Sequence, residues 1–358
     1  MGGTHMRKVN LVVVGAGPAG LSASIEAAKH GVKALVLDEN HKPGGQLFKQ
    51  IHKFFGSEQQ MAGTRGYEIG TKLLNLAKEY GVEIKLNNRV IGIDDHNTLA
   101  IIDNHKYSEI RAKKIILCCG ATEKPLAFPG WTLPGVMGAG AAQTLVNIHR
   151  VVPGEKIIMV GSGNVGLIVT YHLLQAGVKV KAIIDASHKI TGYGVHAAKI
   201  KRAGIPIILR YTVNRAMGTN QVEKVELIQV DKSFNKIPCT QISFDVDTIC
   251  LAVGLSPSTE LARMIGCKLY YHPKLGGYIP MVNQYMQTTI EDIYAAGDMT
   301  GIEEASIAME EGRLAGLACA ISLGYISDNA QSQKALENIR SNLSQLRMGN
   351  GKGGIING

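Results

Sequence analysis

Three glycines and one acid mark the first place in the sequence where residue types and spacing could do chemistry. Gly15-Ala16-Gly17-Pro18-Ala19-Gly20 follows an apolar, β-branched run at Lys8–Val14 and precedes helical spacing over Leu21–His30, which Gly31 is placed to cap. A second apolar run, Val32–Leu37, ends at Asp38, 23 residues after Gly15. In such a strand–loop–helix–strand unit the first glycine permits a tight turn. The second lets backbone approach a pyrophosphate, and the third lets helix and strand pack closely. The helix N-terminus directs its free N–H groups at the phosphates. Asp38 can accept from a ribose diol, with Glu39 as the alternative acceptor. The chemistry implied is dinucleotide binding.

The pattern recurs 146 residues later. Lys156–Val160 reads as a strand, Gly161-Ser162-Gly163-Asn164-Val165-Gly166 as the loop and Leu167–Gln175 as the helix, with Gly177 as its cap. Val178–Ile184 then ends at Asp185, 24 residues after Gly161. This unit either binds a second nucleotide or keeps the packing without the ligand. A carboxylate at the ribose position repels a 2′-phosphate and so favours NAD(H) over NADP(H), while His188 and Lys189 nearby leave NADP(H) open. A third feature is Asp292-Ile293-Tyr294-Ala295-Ala296-Gly297-Asp298, a strand running into Gly-Asp ahead of a helix at about Glu304–Ile321. N–H groups at that helix start, from Ala305 on, can hold a polar ring, and the Asp298 carboxylate can accept from a sugar-alcohol hydroxyl. The plainer alternative is an N-cap aspartate in a strand–turn–helix.

These features need elements to position them. After the first unit, Glu83–Leu86, Val90–Asp94, Leu99–Asp103 and Glu109–Leu117 read as a meander closing at Cys118-Cys119-Gly120-Ala121-Thr122. After the second, Ile205–Leu209, Val222–Val230, Gln241–Phe244 and Thr248–Ala252 do the same, closing at Gly254. Two α/β domains built alike are expected, and 358 residues suffice for both. Leu336, Ile339, Leu343 and Leu346 repeat at helical spacing. They predict an amphipathic helix that docks on the core or on a partner, with Lys334, Glu337, Arg340 and Arg347 solvated. The last ten residues hold five glycines and predict a flexible tail. Met1–Met6 reads as a vector-derived leader.

Composition narrows the function class. The 42 glycines show no G-x-y period, which excludes collagen. The net charge of +9 comes without a dense Lys/Arg run, and with Trp131 as the single tryptophan an aromatic platform for nucleic acid is not expected. None of the six cysteines forms a C-x-x-C, so neither a zinc ribbon, a cysteine-ligated cluster nor a dithiol centre is expected, and no metal site. Reduced thiols and no apolar run of transmembrane length point to a cytoplasmic protein.

Together the motifs resemble the two-dinucleotide-binding-domain flavoprotein superfamily over Lys8 to about Tyr325. The resemblance implies two Rossmann-like three-layer domains, the NAD(P)-binding one (126–279) inserted into a discontinuous FAD-binding one (7–125 with 280–326). The amphipathic helix (327–348) and the tail (349–358) follow. It implies FAD contacts from Gly15, Gly17, Pro18, Ala19, Gly20, Asp38, Glu39, Gly45, Gln46, Val90, Gly120, Ala121, Thr122, Gly297, Asp298 and Ala305. NAD(P) would meet Gly161, Gly163, Asn164, Val165, Gly166 and Asp185. Pro43-Gly44-Gly45-Gln46-Leu47 and Glu123-Lys124-Pro125 through Phe128-Pro129-Gly130-Trp131 to Pro134-Gly135-Val136 are similar, more narrowly, to FAD-containing subunits of heteromeric dehydrogenases. These include the proline and hydroxyproline dehydrogenases, opine oxidase, the sarcosine oxidase α subunit, and the hydrogen cyanide synthase subunit.

That likeness implies oxidation of a secondary amine or amino acid as part of a homo-oligomer, or of a hetero-oligomer with a second flavoprotein or an iron–sulfur subunit. Any iron–sulfur cluster would belong to another chain. Two alternatives stand beside it: a self-contained NAD(P)H-dependent reductase feeding a protein acceptor, and a cofactor-holding structural subunit. The Val136–Gln143 stretch lacks the cysteine pair that thioredoxin reductases carry, which argues against disulfide reduction. No catalytic base stands out. His52 follows Gly45-Gln46 closely enough to approach a flavin, or is a solvated loop histidine; Lys53 could favour an anionic flavin. Cys118 and Cys119 read as packing.

Overall fold

The computed structural model describes residues 6–54 and 61–349. It divides into two compact units, one running up to Thr122 and again from Ser256, the other Glu123–Leu255. The tail expectation falls, from residue 350 on, outside the described residues, as do residues 1–5 of the leader.

In the first unit Glu83–Lys85, Ala34–Leu37, Arg7–Val14, Lys106–Leu117 and Ile293–Ala295 lie side by side, all parallel. Asn88–Ile93 and Thr98–Asp103 form an antiparallel meander on the first half of Lys106–Leu117. The sequence placed Glu83–Lys85 in that meander; instead it is the parallel edge strand, paired with Ala34–Leu37. Period-two alternation explains the three layers. Leu11 and Val13 face the helices Pro18–Lys29 and Ala305–Ser322, while Val12 and Val14 face the meander core with Ile93, Leu99 and Ile101.

The second unit repeats this plan. Ile207–Leu209, Lys179–Asp185, Lys156–Val160, Thr248–Leu251 and Val136–Gly138 form a parallel sheet in that order. Ile157 and Met159 face the helix side; Ile158 and Val160 face a meander of Tyr211–Met217, Lys224–Gln229 and Ile242–Asp245. Tyr211–Met217 is a strand the sequence reading missed. Both loop helices start earlier than expected, at Pro18 and Asn164, so the third glycine of each loop lies inside its helix. Proline suits the first helical position because its missing N–H has no intrahelical partner there.

The chain re-enters the first unit at Ser256, ahead of the expected residue 280. The reason is packing: Ala262 and Cys267 are buried with Ile93, Leu99 and Ile101. The helix Ala330–Gly349 buries Leu336, Ile339 and Leu343 in the same unit's core, so the apolar stripe docks on its own unit. Arg347 is a correction: its side chain is 11% exposed and ion-paired to Glu303 and Glu311, not solvated. No helix among the described residues is long and apolar enough to cross a membrane.

Helices Pro18–Lys29 and Ala305–Ser322 meet backbone to backbone through two glycines. A Cβ at Gly312 would lie 2.1 Å from Ala19 O, and one at Gly316 would lie 2.2 Å from Ala23 O. Gly312→Ala or Gly316→Ala should therefore force the helices apart and lower unfolding free energy by ~1–3 kcal/mol. Urea denaturation checks this; an unchanged midpoint would show that the approach is not constrained.

Candidate functional site

Each glycine loop closes by the same set of contacts. Gly15 has φ +105, its N–H donates to Leu37 O at 2.7 Å, and a Cβ there would sit 2.3 Å from Cys118 O. A Cβ at Gly20 would sit 1.8 Å from Gly15 O. In the second loop Gly161 has φ +111, its N–H donates to Ile184 O at 2.7 Å, and a Cβ would sit 2.3 Å from Ala252 O. A Cβ at Gly166 would sit 2.0 Å from Gly161 O. Any side chain at these four positions collides with backbone.

The middle glycines differ. Gly17 (φ −75, ψ −174) and Gly163 (φ −71, ψ 175) cap their helices in extended conformations open to any residue. A Cβ at Gly17 meets nothing within 4 Å, and one at Gly163 meets only Thr191 Oγ1, at 3.7 Å. The fold itself tolerates a side chain there. Space beside backbone N–H groups at a helix start is what a phosphate requires, so these two cradles fit a dinucleotide. Pro43-Gly44-Gly45 folds over the first: Gly44 N–H donates to Ala16 O at 2.7 Å, and a Cβ at Gly45 would come 2.9 Å from Gly17 Cα. Gly192 N–H donates to Ser162 O at 2.9 Å in the second.

The strand-end acids are loop locks. Asp38, 6% exposed, accepts from Ala16 N–H at 2.6 Å and from Asn40 N–H and Nδ2 at 2.8 Å each. Asp185 accepts from Ser162 N–H at 2.7 Å, Ser162 Oγ at 2.6 Å and Ser187 N–H at 2.8 Å. Spacing alone assigned both acids to a ribose; each first fixes the residue after the leading glycine, and a carboxylate so bonded has one further acceptor site to offer. Glu39 is exposed and paired with Arg89 at 3.0 Å. Next to it, Val90 is half-buried in Asn88–Ile93, whose Asn88 N–H donates to Asp38 O at 2.9 Å.

Two further turns complete the first unit's sheet edge. Gly120 (φ +69) accepts from Ser258 N–H at 3.0 Å and leads into Ala121 and Thr122. Gly297 (φ +80) follows Ile293–Ala295, with Asp298 half-buried in a short 3-10 turn before Ala305–Ser322. A Cβ at Gly297 would lie 2.8 Å from Ala19 Cβ, so this turn stands against the Gly15 loop's helix. Its N–H donates to Glu311 Oε2 at 2.8 Å. Glu311 and its partner Arg347 are site-supporting residues that sequence reasoning missed; the one available signal was Glu311 beside Glu310 in a helix whose remaining residues, apart from Arg313, are small or apolar.

Of the catalytic candidates, His52 stacks on Phe54 with ring centroids 6.0 Å apart, and Lys53 is exposed and bridges Arg65. Gln46 is exposed beside Gly45. In the second loop Asn164 Oδ1 accepts from Tyr193 N–H at 2.8 Å, and Val165 is exposed.

The profile of a family described as pyridine nucleotide-disulphide oxidoreductase matches residues 9–312. An opine oxidase subunit from Rhizobium meliloti (strain 1021) is 27% identical over 87% of this chain and 71% of its own. The crystal structure of L-proline dehydrogenase from P. horikoshii superposes with a TM-score of 0.69 at 22% identity, over 93% of this chain and 60% of that one. The chain thus spans about three-fifths of that dehydrogenase chain. T. acidophilum thioredoxin reductase gives a TM-score of 0.71 at 23% identity over 88% of this chain and 99% of that one. The two structures share the fold.

All six cysteines are free. Cys118, Cys119, Cys250, Cys267 and Cys319 are raised in pKa by burial, Cys119 and Cys250 to about 12. Burial makes Cys118 and Cys119 packing residues rather than nucleophiles. Cys239 is exposed. A thiol reagent at mildly alkaline pH should label Cys239 alone in the folded protein, and Cys239→Ser should abolish fast labelling; a second fast thiol would contradict this burial pattern.

Proposed function

Because the chain belongs to the pyridine nucleotide-disulphide oxidoreductase family and is a FAD-dependent oxidoreductase, we propose that its Gly15 loop holds FAD and its Gly161 loop NAD(H). We propose further that it is the FAD- and NAD-binding subunit of a heteromeric dehydrogenase that oxidises a secondary amine or amino acid. The observation that carries the binding assignment is the pair Gly17 and Gly163, where protein leaves room for a side chain that the fold does not use.

In this reading Gly15, Gly17, Pro18, Ala19 and Gly20 cradle the FAD pyrophosphate through backbone, and Gly45 with Gln46 borders it. Asp38 holds the loop and offers its remaining lone pair to the ribose, with Glu39 and Val90 at the adenosine edge. Gly120, Ala121 and Thr122 flank the cofactor, Asp298 accepts from the ribityl chain and Ala305 presents the helix start. Gly161, Gly163, Asn164, Val165 and Gly166 cradle the nicotinamide dinucleotide. Asp185 places negative charge where a 2′-phosphate would lie, which favours NAD(H) over NADP(H). Bound FAD supplies the two-electron chemistry; the protein binds and orients it. His52 and Lys53 are the candidate groups near the flavin.

Relatives named as part of opine oxidase support the heteromeric role and the amine class of substrate. The second reading, a self-contained NAD(P)H-dependent reductase, draws on a fold that covers nearly the whole T. acidophilum thioredoxin reductase chain. Anaerobic NADH separates the two: bleaching of FAD on the isolated chain, passed to a protein acceptor, favours the reductase. Amine oxidation that appears only with a co-purified partner favours the heteromeric role.

The cradle assignment makes a sharper prediction. Gly17→Val should fold with unchanged apoprotein melting temperature yet bind FAD ~100-fold or more weakly, and Gly163→Val should lose NAD(H) while keeping FAD. Fluorescence titration of each nucleotide checks this, and wild-type affinity in either variant would remove that loop from the site.

A further inference from the structure

The Gly297–Asp298 turn is held from behind by charge. Gly297 N–H donates to Glu311 Oε2 at 2.8 Å, and Thr300 Oγ1 lies 2.8 Å from both Glu311 Oε2 and Gly297 O. Glu311 is 4% exposed, seven residues into Ala305–Ser322 on the face that packs inward. Its other oxygen, Oε1, accepts from Arg347 Nη2, and the same guanidinium donates to Glu303 Oε2 at 2.9 Å from Nε and 2.7 Å from Nη2. Arg347 comes from the last turn of the Ala330–Gly349 helix, which Leu336, Ile339 and Leu343 anchor in the core. A chain of hydrogen bonds therefore runs from the C-terminal helix, through Glu311, to the backbone amide that precedes Asp298.

We propose that Arg347 is a positioning residue for the FAD site: it fixes the carboxylate plane of Glu311, so that Glu311 holds the Gly297 amide and sets Asp298 for the flavin's sugar-alcohol chain. This rests on the assignment of FAD to the Asp298 turn. The physics follows from geometry. A guanidinium that donates to one oxygen of each of two buried carboxylates, Glu303 Oε2 and Glu311 Oε1, restricts the rotation of both. Glu311 is buried, and burial raises its pKa against the opposing pull of Arg347. Without Arg347, Glu311 Oε1 loses its donor, and nothing fixes which way Oε2 faces the Gly297 amide. Gly297, at φ +80, then loses a firm acceptor, and the turn that carries Asp298 loosens. The docked helix and the cofactor are thereby coupled through one buried ion triad.

The test compares Arg347→Gln, Arg347→Lys and Leu343→Ala in the full chain. Leu343→Ala loosens the same helix from its apolar side and leaves the triad in place. Two quantities are read for each: the apoprotein melting temperature, and the FAD dissociation constant from flavin fluorescence on titration into apoprotein. Arg347→Gln is expected to weaken FAD ~10-fold or more, beyond any loss that Leu343→Ala shows at similar melting temperature. Arg347→Lys, which keeps the charge without the fork, recovers part of that affinity. Arg347→Gln with wild-type FAD affinity, or affinity losses that simply track melting temperature across the three variants, overturns the proposal while leaving the cofactor assignment standing. A wild-type chain that takes up no FAD overturns both. Where Arg347→Gln fails to fold, Arg347→Lys against Leu343→Ala carries the comparison alone.

Discussion

The structure depends on a close approach: the carbonyl of the first glycine in each loop lies where the third glycine would carry a side chain. At Gly20 and Gly166 a Cβ would fall 1.8 and 2.0 Å from that oxygen. No packing adjustment accommodates such an overlap, because the atom met is backbone. The constraint brings the strand, the helix N-terminus and the neighbouring strand end within a few ångströms of each other. Asp38 and Asp185 then lock the arrangement by accepting the N–H of Ala16 and of Ser162. Buried hydrogen bonds to a charged group contribute roughly 1.5–3 kcal/mol each. They also leave the helix-start amides aimed at open space, where an anion gains from the helix dipole.

Repetition of the whole assembly makes the reading firmer than either copy alone. Leading-glycine φ values of +105 and +111, N–H bonds of 2.7 Å and a clash with the backbone carbonyl at the end of a neighbouring strand, Cys118 O in one unit and Ala252 O in the other, recur in both units. The copies diverge at the lock. Asp38 draws on Asn40 for its second and third donors, whereas Asp185 draws on the Ser162 hydroxyl and Ser187. They diverge also in support: the first unit carries the Gly297 turn and its ion triad, built from segments that return to it after the second unit.

Much of this was legible because backbone sterics write themselves into residue type. Only glycine satisfies Gly15, Gly20, Gly161 and Gly166, so spacing alone located both loops, the parallel sheets and the turns at Gly120 and Gly297. What stayed hidden depends on distant partners. Spacing put Asp38 and Asp185 at a strand end but could not show that loop amides reach them first. Glu83–Lys85 looks like a meander strand until Ala34–Leu37 is seen beside it. The early return at Ser256 depends on Ala262 and Cys267 finding a core laid down by residues near 93–101. Arg347 fitted the polar face of an amphipathic helix, and only two acids on another helix and its lead-in loop explain its burial.

The central claim is that the two loops take two different dinucleotides at once. Native mass spectrometry of the purified full chain, supplied with FAD and NAD(H) together, measures this directly. The account predicts a species carrying one FAD and one nicotinamide dinucleotide per chain. A chain that carries no dinucleotide, or that takes FAD at both loops, would contradict it.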